Sequence, residues 1–304
     1  MQKSTRAVDV GGNGARRADV RGTEVSNYTA VGFGEITTPN QLLAFAIDNL
    51  PGDNDSIAFT VAGDISNGVV IKSPQMRWLD GYNLAGRTRA LYVKAAIAIN
   101  DMDGAGIGMA KMLLGHNLFR AMTWSSGIGD RIVVNGQILT KSEAGHCIVD
   151  HSANASLCGC GKRGCLEAVI GGEAVKHWVL KYAHEAGIEI PLDVATKKPM
   201  HPCKFLDLQY KADVGGAVAI YGEIAKIMGR HLAYLQNAVF VPLIVWKGTF
   251  AISALPLIED IIRHYMRADL MNPGWEKEMK FMISPDPQND SLIGAAEFLR
   301  ATYR

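Results

Sequence analysis

Between Cys158 and Cys165 the chain reads Cys158-Gly-Cys160-Gly-Lys-Arg-Gly-Cys165, and Glu143-Ala-Gly-His146 lies just upstream. Three thiols within eight residues, with glycines between them, is the spacing of a metal site that needs a fourth ligand. Thiolates hold zinc at about 2.3 Å and a neutral imidazole holds it at about 2.0 to 2.1 Å, so three Cys and one His complete a closed tetrahedral site. The glycines let the backbone wrap so small a cage. His146 is the fourth candidate and His151 competes with it, since spacing alone does not separate the two. The competing explanation is a disulfide or a group of buried free thiols. A Cys-x-Cys bridge is strained, and the count of five cysteines is odd.

With 304 residues, 48% of them hydrophobic, the chain can bury a large core and is expected to form two domains rather than one. Its 31 basic and 30 acidic residues leave a net charge of +1, which gives no electrostatic reason to bind nucleic acid or a membrane surface. Any anion must be bound locally. No apolar segment follows the basic start of the chain, and no run of about 18 apolar residues occurs elsewhere. A soluble cytoplasmic protein is expected, and thiols at ligand spacing suit a reducing compartment.

Ala7 to Val10 and Ala15 to Val20 flank Gly11-Gly12-Asn13-Gly14 and read as a hairpin. Residues 41–49 look helical. Ile57 to Ala62, ending in Gly63, and Ala95 to Ile99, ending in Asn100-Asp101, read as buried strands that deliver loops, and 104–114 has helical spacing. A second unit starts near Phe119. There a strand at 120–124 meets Ser125-Ser126-Gly127-Ile128-Gly129, and Ile132 to Val134 runs into a turn at Asn135-Gly136. Helices are expected over 169–184, 215–237, 257–266 (starting after Pro256) and 291–303, with strands at 239–246 and 281–284. The alternation predicts an α/β architecture with substantial parallel sheet. Gly-turn strand pairs near Gly11 and Gly127 suggest a duplicated fold.

Glu143-Ala-Gly-His146 followed by Cys158-x-Cys160-Gly-x-x-Gly-Cys165-Leu-Glu167 resembles the signature of the ROK family, named for repressors, open reading frames and kinases. The resemblance implies an actin-like ATPase fold, with two ribonuclease-H-like domains flanking a cleft and a structural zinc loop. The domains would span 1–117 and 118–304, with the last helix (about 291–304) packing back on the first. It also implies that His146, Cys158, Cys160 and Cys165 hold zinc and that Glu143, His146 and Glu167 face a sugar.

Further segments fit the same resemblance. Asp9-Val-Gly11-Gly12-Asn13-Gly14 is similar to the first phosphate loop, where backbone amides approach the nucleotide and the Asp helps place magnesium; Asn13 stands where Thr is usual. Glycines permit that approach because no Cβ intervenes. Ser125-Ser126-Gly127-Ile128-Gly129 resembles the second phosphate loop, with Ser126 keeping the hydroxyl, Gly127 and Gly129 the turn, and Asp130 an acid beside it. Asn100-Asp101 resembles the segment whose Asp is the general base, and Asp103 reads as a solvated or capping acid. Gly63, Gln75 and Asn100 would complete the sugar contacts, Gln75 standing in for the usual Asn, while Trp78 reads as core. Val245-Trp246-Lys247-Gly248 occupies the adenine segment, with Trp246 and Lys247 at two positions that are usually glycine. Either a bulky residue reshapes the adenine pocket or nucleotide binding is weakened.

The implied activity is ATP-dependent phosphorylation of a monosaccharide, a hexose or amino sugar, with ATP, Mg2+ and Zn2+ as cofactors and a homodimer as the assembly. The alternatives are a degenerate sugar-binding regulator without catalysis and a kinase for an atypical amino sugar or cyclitol. A DNA-binding repressor is not expected, because the first strand begins at Ala7.

Overall fold

The computed structural model describes residues 3–12, 14–32, 34–51 and 55–303. In chain order the first elements are β1 (Thr5–Gly11), β2 (Gly14–Arg21), β3 (Glu24–Gly32), α1 (Pro39–Ile47), β4 (Ser56–Val61), β5 (Asp64–Ser66), β6 (Val69–Lys72), α2 (Leu84–Leu91), β7 (Ala95–Asn100) and α3 (Asp101–Met112). There follow β8 (Leu118–Trp124), β9 (Ile128–Val134), β10 (Gln137–Thr140), α4 (Leu166–Ile170), α5 (Gly172–Glu185), α6 (Pro202–Lys211), α7 (Gly215–Ala238), β11 (Leu243–Lys247), α8 (Thr249–Asp269), α9 (Trp275–Glu278), β12 (Lys280–Ile283) and α10 (Asp290–Thr302). Two compact units result: Met1–Ala121 with Arg131–Lys141 and Ser284–Arg304, and Met122–Asp130 with Ser142–Ile283.

In the first unit the sheet order is β3-β2-β1-β4-β7. β1 and β2 form the expected hairpin, pairing Asp9 with Arg16 and Gly11 with Gly14. Gly14 sits at φ 128°, and a Cβ there would overlap the Val31 carbonyl, so the turn back into β2 needs a glycine. β4 is buried along its whole length between β1 and β7, parallel to both, which is why Ser-Ile-Ala-Phe-Thr-Val carries no charge. α10 packs on β1, β4 and above all α3. The two helices approach closely because Gly104, Gly108 and Gly294 leave their facing surfaces without side chains: a Cβ on Gly294 would overlap the Gly104 carbonyl, and one on Gly108 the Asp290 carbonyl.

The second sheet has the order β10-β9-β8-β11-β12, with β11 and β12 parallel and Trp246 in register with Ile283. The core of the second unit gathers Trp124, Tyr221, Trp246 and Phe250 with the apolar faces of α7 and α8. One sequence expectation is corrected here. Pro256 does not precede a helix but lies inside α8, whose buried face runs from Phe250 through Leu255 to Met266. A proline removes one helix hydrogen bond, and the burial of that continuous face outweighs the loss. Trp246 lies in strand β11, inside the strand expected at 239–246, and its ring is fully buried, 6.1 Å from that of Trp124 and 5.9 Å from that of Phe281. β3, the β5-β6 pair and α2 carried no clear periodicity, being short or largely exposed.

Among the described residues, no helix is long and apolar enough to cross a membrane.

Candidate active site

In the first unit, Asp9, Gly63, Asn100 and Asp101 all stand at the same ends of neighbouring parallel strands. Asn100 ends β7 and caps α3, its Oδ1 accepting from the N–H groups of Met102 at 2.8 Å and Asp103 at 3.2 Å. Its Nδ2 donates to the Gly63 carbonyl at 2.8 Å. That cap fixes Asp101 as the first residue of α3, half-buried, where the positive end of the helix favours a carboxylate. Asp103, expected to be solvated or capping, instead accepts from the Arg131 Nε.

Asp9 shares register with Thr60 across β1 and β4. Its Oδ1 accepts from Thr60 Oγ1 at 2.5 Å, and its Oδ2 from Arg16, whose Nε and Nη2 both lie at 2.8 Å. Each carboxylate oxygen is engaged by one residue, and the positive charge beside the first glycine turn is Arg16. Gly11 and Gly12 form that turn, and Asn13 lies outside the described residues. Gln75 is exposed, and its amide lies over Gly12, where a Cβ would overlap it. Trp78 is half-buried against the core, as expected.

In the second unit, Ile128 is the hub. Its N–H donates to Glu167 Oε2 at 3.0 Å, and its carbonyl lies where a Cβ on Gly145 would fall. Gly127 likewise has no room for a Cβ against the Glu167 carboxylate. The Ser125 carbonyl accepts from Gly172 N–H at 2.7 Å, joining the loop to the start of α5, and Ser125 N–H donates back to the Gly127 carbonyl at 2.9 Å. Asp130, wholly buried, accepts from Ser142 Oγ at 2.5 Å and Ala144 N–H at 3.2 Å, which sets the segment carrying Glu143. Gly248, at φ 96°, packs against the backbone of Trp124 and Ser125. Ser126, Gly127, Glu143, Glu167 and Gly248 thus belong to one connected set of segments, with Gly129 in the strand that leaves it. Sequence reasoning missed Arg16, Thr60 and Arg131 and gave Asp130 no role; only a charge within an apolar strand pattern could have pointed to Arg131 or Asp130.

His146, Cys158, Cys160 and Cys165 come together with their ligand atoms all within 4.8 Å of one another, and His151 is not in the group. Cys158 Sγ lies 3.4 Å from His146 Nδ1, and the sulfurs of Cys160 and Cys165 lie 3.7 Å apart. A tetrahedral zinc with bonds of about 2.3 Å spaces its sulfur ligands roughly 3.8 Å apart, so the donor set fits that ion. The turn is local: Cys158 N–H donates to the Lys162 carbonyl at 2.8 Å, and Gly161 and Gly164 take φ 93° and 75°. Burial, with Cys160 and Cys158 crowding it, pushes the Cys165 thiol up to about 12. A bound cation is what would let all three thiols ionise together.

The fold and these loops define an α/β protein of the actin-like ATPase type, built on two strand–glycine turn–strand openings. The ROK family profile matches residues 6–302, and the chain belongs to the ROK family. It is 24% identical over 285 residues to an N-acetylmannosamine kinase of Haemophilus influenzae, covering 85% of each chain. It is 26% identical over 245 residues to a glucokinase of Thermotoga maritima, covering 78% of this chain and 76% of that one. The crystal structure of a ROK family glucokinase from Streptomyces griseus in complex with glucose and AMPPNP superimposes with a TM-score of 0.81 at 21% identity, covering 98% of this chain and 100% of that one.

Proposed function

We propose that this ROK protein is an ATP-dependent sugar kinase acting on a hexose or an N-acylated amino sugar. The observation that carries the reading is Asp101, held by its Asn100 cap at the mouth of a strand, at the positive end of α3. Asp101 takes the proton from a sugar hydroxyl as that oxygen bonds to the γ-phosphorus of ATP; the bond from phosphorus to the bridging oxygen breaks and ADP leaves. Phosphoryl transfer is chiefly positioning and charge neutralisation, so one carboxylate suffices as the side-chain base. In the second unit, Glu143, His146 and Glu167 are the residues assigned to sugar orientation; in the first, they are Gln75 and Asn100. In the first unit the backbone amides of Gly11 and Gly12 are assigned to phosphate, with Arg16 as the adjacent positive charge; in the second unit the amides of Ser126, Gly127 and Gly129 are assigned to phosphate and Gly248 to the adenine. Bound with the nucleotide, magnesium would supply further neutralisation of the phosphate charge beside Arg16.

His146, Cys158, Cys160 and Cys165 would hold zinc, which supplies rigidity to the loop that presents Glu167. The protein acts in the cytoplasm, where thiols stay reduced, and as a homodimer, which light scattering tests.

Two kinase relatives support the reading, and Trp246 is buried in the core rather than exposed beside Gly248. A coupled ADP-release assay with MgATP tests it, starting with N-acetylmannosamine and glucose and extending to other hexoses, hexosamines and cyclitols. Turnover of one member is expected. No turnover across the panel, with no calorimetric signal from nucleotide at millimolar concentration, would hand the protein to the sugar-binding regulatory class.

A further inference from the structure

We propose that Arg131 is the positioning residue of this site: it locks the first turn of α3 and thereby holds the Asp101 carboxylate where proton removal needs it. The inference rests on the kinase reading above. Arg131 comes from β9, far along the chain from α3, and its side chain is 3% exposed. Its Nε donates to Asp103 Oδ1, and its Nη2 donates to Asn100 Oδ1 at 2.9 Å. One rigid fork therefore grips the residue before Asp101 and the residue two after it, on the same turn.

Asn100 Oδ1 already accepts from two amides of that turn, and the guanidinium adds a charged third donor that orients the cap. A buried charge is retained in such a place only with its partners satisfied, and removing one of them is strongly destabilising locally. Lysine carries the same charge but lacks the fork, so it could not span both oxygens in the same way. The bonds of Arg131 to Asn100 and Asp103 are the contacts through which it acts.

The test compares wild type with Arg131→Met, Arg131→Lys and Asp103→Asn, measuring kcat and KM for the sugar and for MgATP, with thermal melting alongside. Misplacement of a reacting group by about 1 Å costs on the order of 100-fold, so kcat of Arg131→Met should fall by about 10- to 100-fold. Sugar KM should change by less than about threefold, since ground-state contacts remain. Arg131→Lys and Asp103→Asn should fall between, and guanidinium ion at millimolar concentration should restore part of the Arg131→Met rate. A lower melting temperature with kcat within about twofold of wild type would make Arg131 structural glue and overturn the proposal. Should Arg131→Met fail to fold, the kcat of Arg131→Lys and Asp103→Asn decides by the same criterion. If the wild type phosphorylates no sugar, the kinase reading falls first and this role falls with it; an active wild type with indifferent variants sinks this role alone.

Discussion

Replacing Asp101 by asparagine should lower kcat by about 100-fold or more while leaving sugar affinity largely intact, because base catalysis contributes about 10²- to 10⁴-fold. Asparagine keeps the shape and still hydrogen-bonds the hydroxyl, but it cannot take the proton. Isothermal titration with the sugar, run beside the ADP-release assay, checks both halves; turnover within a few-fold of wild type removes Asp101 from the role. Asp101 was legible in the sequence because Asn-Asp at the end of an apolar run is a strand end and a helix cap in one dipeptide. Arg131 was not, because its partners Asn100 and Asp103 lie 31 and 28 residues away. No local spacing rule links residues so far apart.

α3 and α10 supply a contrasting pair of predictions. A Cβ on Gly294 would overlap the backbone of α3, so Gly294→Ala should cost about 1 to 3 kcal/mol by forcing the helices apart. Gly222 in α7 has open space around it, so Gly222→Ala should gain up to about 1 kcal/mol from helix propensity alone. Urea unfolding of both variants gives the answer, and equal signs would sink the packing argument. Helical spacing over 104–114 was legible, and the family resemblance implied that the last helix packs on the first domain, but nothing in the sequence paired Gly294 with Gly104. Pro256 shows the reverse failure: a local rule for ending helices gave way to a buried face that continues through it. β3 was missed because most of its residues are exposed and it shows no clean alternation.

For the whole protein, one zinc per chain is expected by elemental analysis, and Cys160→Ser protein that still carries a full equivalent would exclude this ligand set. Structural zinc contributes on the order of 10 kcal/mol in small zinc domains, so chelation should at least disorder the 146–165 loop, read as new proteolytic cleavage there. Acid stability has a separate contributor in Asp193, which Lys204 at 2.6 Å and the amides of Ala195 and Thr196 hold down at about 2 against an ordinary 3.8. A depressed carboxylate stabilises the fold above its unfolded value, and that contribution is lost as pH falls from 3.8 toward about 2. Asp193→Asn should therefore be less stable than wild type at neutral pH and converge with it at the acid end of that window; parallel curves in pH-dependent denaturation would exclude the pairing. The sequence by itself determined the clustering of Cys158, Cys160 and Cys165, the glycine turns at Gly11 and Gly127, and the family, because each depends on residues adjacent in the chain, where covalent geometry limits the choices. Only the tertiary structure decided that Trp246 faces the core and that Arg131 reaches Asn100, and it brings His146, the ligand the resemblance implied, to the thiols where spacing alone left His151 in competition. Those are choices among partners distant in sequence, and they are made by the packing of the whole fold rather than by any local preference.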